Sequence, residues 1–503
     1  MPRHSVWRLA VVLCFSGCSL YGPPYCPDGR PQAPPPAGAG SGPLHAKALD
    51  YDRWYQGKLR PEPYGGVANV IFADASYQNV IGYDDLQDSA IWTGTYLAAE
   101  AFRYATVSDP EEKRQALGNA RAAARTLDFF LHVTQTPGLI ARFAAPLSQE
   151  SVFLHGSPCC PPGTATDPAN LCCSTNNGCT TGTAPDGTPV FWLGGTSRDQ
   201  YSGWFYGMGI AERLIDDPEL RQRIRDDMTE IVTALHDSFW IIRGPDGKPS
   251  GGTAAFVEPY EKLSWLLSAS AAGREPACGW YEKEVRDVVA VQLTITPLGT
   301  EWLNQYMQYY GFNLNFINYY NLVRLEPNGH RRRAYLDSLN KNSYRWVRGS
   351  DNVFFDYTAM ALRGRANTRT LASDRQALSD FPGPPNYLHP VVPPPAKSLN
   401  PFSLDLYHFN EKVDPSRILF APRAESAYPL NQRCPQDFLW QQSPFMICCQ
   451  PLTESSWIPA DLQGYCNGLS PLPSGPQVLV YPGADYLLAY WMGRYYGFLR
   501  PVD

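Results

Sequence analysis

The stretch Gly194–Pro218 reads GGTSRDQYSGWFYGMGIAERLIDDP. A small-residue loop leads into a polar triplet, Arg198-Asp199-Gln200. A run dense in Trp204, Phe205, Tyr206 and Met208 follows, and Asp217-Pro218 opens the next helix. Asp can accept the first free amides of a helix and Pro fits its first position, so Asp-Pro marks a helix start. The pattern predicts an inner helix over 201–215, apolar nearly all round. It then predicts an amphipathic outer helix with Leu220, Ile224, Met228, Ile231, Leu235 and Phe239 on one stripe.

The same layout recurs. Residues 89–107 form an apolar inner run, Ser108-Asp109-Pro110 is its joint, and Leu117, Ala120, Ala124, Leu127 and Leu131 mark an outer helix. Downstream, 305–323 repeats the inner run, Leu325-Glu326-Pro327-Asn328 is the joint, and 331–340 the outer helix. A further pair covers 255–270 and 279–293, 356–362 is helical, and 485–496 closes the chain as a last inner helix. Irregular spacing excludes a short tandem repeat. The expected class is all-α: two concentric rings of helical hairpins, whose entry loops gather at one end and line a cleft.

The flanks read differently. Arg3, His4 and Arg8 precede a short apolar run, Leu9–Phe15, and then Phe15-Ser16-Gly17-Cys18. This resembles a bacterial lipoprotein box, with Phe where Leu is usual. Residues 1–17 are thus expected to be a signal peptide and Cys18 the lipid carrier. Residues 18–44 read as a Pro/Gly-rich tether. Residues 45–503 are the helical body, irregular over 44–79 apart from a strand-like run at 67–72. Within the body, about 149–190 is a cysteine-rich insert and about 364–483 an irregular, Pro- and Cys-rich excursion.

Thirteen cysteines suit an oxidising compartment. Cys159, Cys160, Cys172, Cys173 and Cys179 cluster in the insert, and Cys434, Cys448, Cys449 and Cys466 lie late; Cys26 and Cys278 stand alone. Disulfide-pinned loops are expected, with pairing open. Vicinal cysteines without CxxC or histidine spacing give no zinc motif, and neither a metal nor a cofactor is expected. A net charge of -6 gives no footprint for nucleic acid.

Two segments carry a family resemblance. DSAIWTGTYLAAEAFRY, Asp88 to Tyr104, resembles the first hairpin of helical domains in bacterial carbohydrate-related proteins, and TPGLIAR, Thr136 to Arg142, resembles the segment that follows it. The layout is similar to the (α/α)6 toroid, or six-hairpin glycosidase-like, superfamily over roughly residues 80–365 plus the last helix. The cysteine regions depart from it, and no signature of one hydrolase or lyase family is present.

Asp199, at the start of an inner helix beside Arg198 and Gln200, is the first candidate for a working carboxylate. An acid there needs a raised pKa, for which Tyr201, Trp204 and Phe205 offer a dry wall; Arg198 would oppose it. Asp88, also at an inner helix start and preceded by Asp84 and Asp85, is its partner. The competing readings are helix capping for these acids and a salt bridge between Asp199 and Arg198. Arg142 and Arg198 are candidates to grip a carboxylate or phosphate, with Gln200 beside them. Tyr306, Tyr309, Tyr310, Asn313, Asn315 and Asn318 form a Tyr/Asn set of the kind sugars favour, with Tyr306, Tyr309 and Asn313 taken as ligand contacts. His155, Asp351 and Asp356 are weaker candidates. Gly207-Met208-Gly209 lies inside a helix and is no dinucleotide loop. The implied function is a lipid-anchored protein of the bacterial envelope, at the outer membrane, that cleaves poly- or oligosaccharide as a hydrolase or lyase. The alternative is glycan binding without catalysis on the same scaffold.

Overall fold

The computed structural model describes residues 38–153, 179–286, 310–387 and 478–503, apart from positions 39, 85, 274, 346, 347, 349–351 and 382. Cys18, most of the tether and cysteine-rich insert, His155, Tyr306, Tyr309, Asp351 and the excursion over 388–477 lie outside them.

The described chain is mostly helical, with two small antiparallel sheets that correct the all-α expectation. Helix α1 (Pro43–Trp54) buries Leu44, Ala48, Tyr51 and Asp52. It corrects the irregular reading of this segment. Then α2 (Ser89–Thr106) and α3 (Pro110–His132) follow. A single short turn, α4 (Glu150–Phe153), precedes the hairpin of α5 (Arg198–Leu214) and α6 (Pro218–Asp237). Next come α7 (Pro259–Ala271), α8 (Ala277–Glu284), α9 (Tyr310–Leu325) and α10 (Gly329–Leu339). The set ends with α11 (Val353–Arg363), α12 (Thr368–Asp380) and α13 (Ala484–Tyr495). Helix α12 lies where the excursion was expected; Asn367 caps it by accepting from the amides of Arg369 and Thr370.

The joints work as their residue types dictate. Asp109 accepts from the amide of Glu112, Asp217 from Glu219 and Leu220, and Asn328 from His330 and Arg331, each such cap contributing about 1 kcal/mol. Helices α2, α5, α7 and α13 are buried on nearly every side, while α3, α6 and α10 bury one stripe. Phe239 leaves the expected stripe of α6: it follows the helix end with φ 57° and is 85% exposed.

Helices α2 and α5 touch backbone to backbone. A Cβ on Gly94 would overlap the carbonyl of Gly203, one on Gly207 would overlap Gly94, and one on Gly203 would strike the Cα of Ile91. Only glycine permits this approach. The seam draws the first turns of the two helices together, which explains Gly207 without a ligand.

One sheet orders β1 (Asn69–Phe72), β2 (Val80–Asp84), β6 (Asn386–Tyr387) and β7 (Val478–Tyr481) as β2-β1-β7-β6. The other orders β3 (Phe143–Pro146), β4 (Cys179–Thr183) and β5 (Pro189–Leu193) as β3-β5-β4. Its register pairs Phe143 with Leu193, so Arg142 stands just before one strand and the loop from Gly194 just after its neighbour. Cys179 and Cys278 are the only cysteines among the described residues, and both are buried. Among the described residues no helix is long and apolar enough to cross a membrane.

Candidate functional site

The glycine seam sets the site. Asp88 precedes the first residue of α2, and Asp199 is the second residue of α5. Gln200 bridges them. Its Oε1 accepts from the amide of Ile91 at 3.1 Å, one of the free amides of the first turn of α2. That donor fixes the amide's orientation, so Nε2 faces the acids. It donates to Asp88 Oδ1 at 3.0 Å and to Asp199 Oδ2 at 3.4 Å. Gln200 thereby caps α2 from the neighbouring helix. Asp88 makes no side-chain capping bond of its own, so the capping reading of Asp88 falls.

Arg142 closes the other side. Its Nε and Nη2 donate to the Gly195 carbonyl at 3.1 and 3.0 Å, and Nη1 donates to the Gln87 carbonyl at 2.8 Å. Nη2 also donates to Ser197 Oγ at 2.6 Å, and that hydroxyl donates in turn to Asp199 Oδ1. Nη1 lies 3.6 Å from Asp88 Oδ1. The segments before α2 and α5 thus meet on the Arg142 guanidinium, which makes four hydrogen bonds to them. Arg142 is a clamp at this site, which corrects its reading as a free substrate grip.

Arg198 also departs from expectation. It turns from Asp199 towards α7, with Nη2 2.7 Å from Glu258 Oε1 and Nε 3.3 Å from Glu261 Oε1. These two glutamates form a capping box at the start of α7. Burial pushes the Glu261 carboxyl up to about 8, against the pull of Arg198. Arg198 therefore ties α5 to α7.

The carboxylates differ in setting. Asp88 is buried apart from an edge, its side chain 17% exposed. Burial, and then the charge of Asp199, push its carboxyl from 3.8 up to about 7, while Arg142 and the Gln200 amide oppose the rise. The rise falls on Asp88, which the residue pattern named as the partner acid. Tyr201, Trp204 and Phe205 do not wall the Asp199 carboxylate. Tyr201 donates to the Gly138 carbonyl, Trp204 to that of Leu127, and Phe205 stacks on Trp265. A carboxyl raised towards neutrality beside a second carboxylate is a pairing that can move a proton and hold a developing positive charge.

The Asn set is structural where it is described. Asn318 donates to Ser202 and accepts from Trp265, linking α9 to α5 and α7. Asn315 donates to Ser343. Asn313 is fully buried, and both its amide atoms lack a hydrogen-bond partner; no contact joins it to the acids. Asp356 accepts from Tyr344. Ser197, Glu258 and Glu261 were missed in the sequence. A serine before an Arg-Asp pair carries no signal until Arg142 is known to reach it.

Comparison with protein-family models, with curated proteins and with solved structures finds no match to this chain.

Proposed function

We propose that the chain is a glycan-cleaving lipoprotein of the bacterial envelope, working at the pair Asp88 and Asp199. The observation that carries this reading is that the two carboxylates share the Gln200 amide and that burial pushes Asp88 up to about 7. The shared nitrogen holds the two accepting oxygens within about 6.4 Å of each other, the sum of its contacts of 3.0 and 3.4 Å, a bound that admits the retaining separation of about 5–5.5 Å between carboxyl groups. The route proposed is the retaining one. Asp88 gives its proton to the glycosidic oxygen as that bond breaks, and Asp199 forms a covalent bond to the anomeric carbon. Water then cleaves this ester, its proton taken by Asp88.

The scaffold proposed is an (α/α) toroid with disulfide-pinned loops. In support, contacts run from α2 to α5, α7, α9, α11 and α13 and back to α2. Five of these helices pack on the helix that follows them, and α13 packs on α1. The site then lies where the entry loops of α2 and α5 meet. The lyase version has less support, because Arg142 hydrogen-bonds the protein and Arg198 is ion-paired to Glu258 and Glu261. The envelope location rests on the sequence around Cys18, with the tether holding the body off the bilayer.

The test is a glycan panel assayed for reducing ends and for unsaturated-uronide absorbance. Wild type is expected to release reducing ends without uronide absorbance, and Asp88→Asn and Asp199→Asn each to lose about 100-fold or more. Full activity in either variant, or glycan binding without cleavage, would overturn the catalytic assignment.

A further inference from the structure

Far from the carboxylate pair in sequence, α3 and α6 pack against each other and carry a second cluster. Asp128 and His132 stand four residues apart on α3, and Asp227 and Glu230 three apart on α6, so each pair shares a helix face. A carboxylate oxygen of Asp128, a ring nitrogen of His132 and a carboxylate oxygen of Asp227 all lie within 4.8 Å of one another. The ring is already oriented. His132 Nδ1 lies 2.8 Å from the backbone carbonyl of Asp128, which can only accept, so Nδ1 holds the hydrogen. Asp128 Oδ1 also lies 3.4 Å from Nδ1, so in the neutral ring Nε2 is the nitrogen left for a metal, as in sites where a carbonyl holds the other ring N–H. Nε2 faces Glu230 Oε2 at 3.5 Å, and Glu230 Oε1 accepts from the Gly138 amide at 3.0 Å.

Asp227 supplies the independent sign of a ligand. It is only 4% exposed, and its Oδ2 is buried without a hydrogen-bond partner. Burying a carboxylate oxygen with no donor is costly unless a cation or a proton takes its place. Of the cations beside it, Arg223 sits on Asp128, with Nη1 3.4 Å from Oδ2, and His132, once protonated, faces Glu230.

We propose that Asp128, His132 and Asp227 bind one divalent transition-metal ion of the zinc type, with Glu230 beside them, pinning α3 to α6. Imidazole with carboxylates suits zinc-like ions rather than magnesium or calcium. Ligand bonds of about 2.0–2.2 Å need the three atoms to close by about 1 Å, within the reach of side-chain rotation. The ion would also steady Gly138, held by Glu230, at the head of the segment that delivers Arg142.

The test uses the full chain with its cysteines oxidised, stripped of metal by a chelator. Zinc is titrated by calorimetry and cobalt(II) by visible absorption, in wild type, His132→Gln and Asp227→Asn. One equivalent is expected in wild type, with a cobalt spectrum free of thiolate charge transfer and a rise in Tm on adding zinc. Both variants should lose more than about 100-fold in affinity, beyond the loss of an outer-shell partner, and their Tm should ignore zinc. Metal-free Tm no lower than wild type in Asp227→Asn would show that this variant folds. Equal binding in all three proteins, a thiolate spectrum, or no binding by wild type would overturn the site.

Discussion

Helix α2 carries a charged cluster at each end, and the two differ in what they leave open. At its start, Asp88 and Asp199 share one amide, and Asp88 keeps an edge to solvent. Towards its end, Arg103 is 1% exposed; its Nη1 lies 2.9 Å from Asp52 and 3.3 Å from Glu100, and its Nε 3.3 Å from Glu112. Asp52 also accepts from Tyr96 and Asn119, and the guanidinium lies over Trp491. Burial, and then Asp52, push Glu100 up to about 8. A raised carboxyl is therefore no mark of a working site by itself. In the far cluster the raised carboxyl, Glu100, is fully buried beside its cation, whereas the near cluster joins a raised carboxyl to an accessible edge and a second acid.

This contrast can be broken by substitution. Arg103→Ala leaves three acids without their cation inside the fold, so a loss of about 3–5 kcal/mol is expected in denaturant unfolding. Arg142→Ala should cost clearly less, since the acids it faces reach solvent. Equal losses would abolish the buried-versus-open distinction. Gly94→Ala should cost about 1–3 kcal/mol through overpacking of the α2–α5 seam, and it should part Asp88 from Gln200. Unchanged stability and an unchanged Asp88 titration would show that the seam does not set the pair.

Asp88→Asn tests the sign of the raised carboxyl. A carboxyl raised in the folded state binds a proton that the unfolded chain has lost, so its penalty grows as pH climbs from about 4 to about 7. Asn keeps an oxygen for Gln200 and carries no charge. It should stabilise the protein at pH 8 by about 1–4 kcal/mol, the upper figure being the whole rise from 3.8 to about 7, and much less at pH 4. Equal effects at both would contradict the shift. Ser197→Ala has the smallest expected cost, about 0.5–1.5 kcal/mol, with a change in the Asp88 titration as the readout that simple packing loss would not move.

Much of the hairpin grammar was legible, because caps act locally. Asp109-Pro110, Asp217-Pro218 and Asn328 announce helix starts from their own side chains. Helix α1 was not legible, since its buried face includes His45 and Asp52, whose partners Glu112 and Arg103 lie far along the chain. The site was half legible. Asp88, Asp199 and Gln200 stand at helix starts, but which acid is raised depends on burial, and the partners of Arg142 and Arg198 come from loops and a helix distant in sequence. Gly94 and Gly203 look like ordinary small residues until the opposite backbone is known.

The most direct measurement is a side-chain carboxyl NMR titration of Asp88 in wild type and in Asp199→Asn. The expected result is a midpoint near 7 in wild type, falling once the neighbouring charge is removed. A midpoint near that of an ordinary aspartate in wild type, or one indifferent to Asp199, would contradict the claim that the two carboxylates work as a pair.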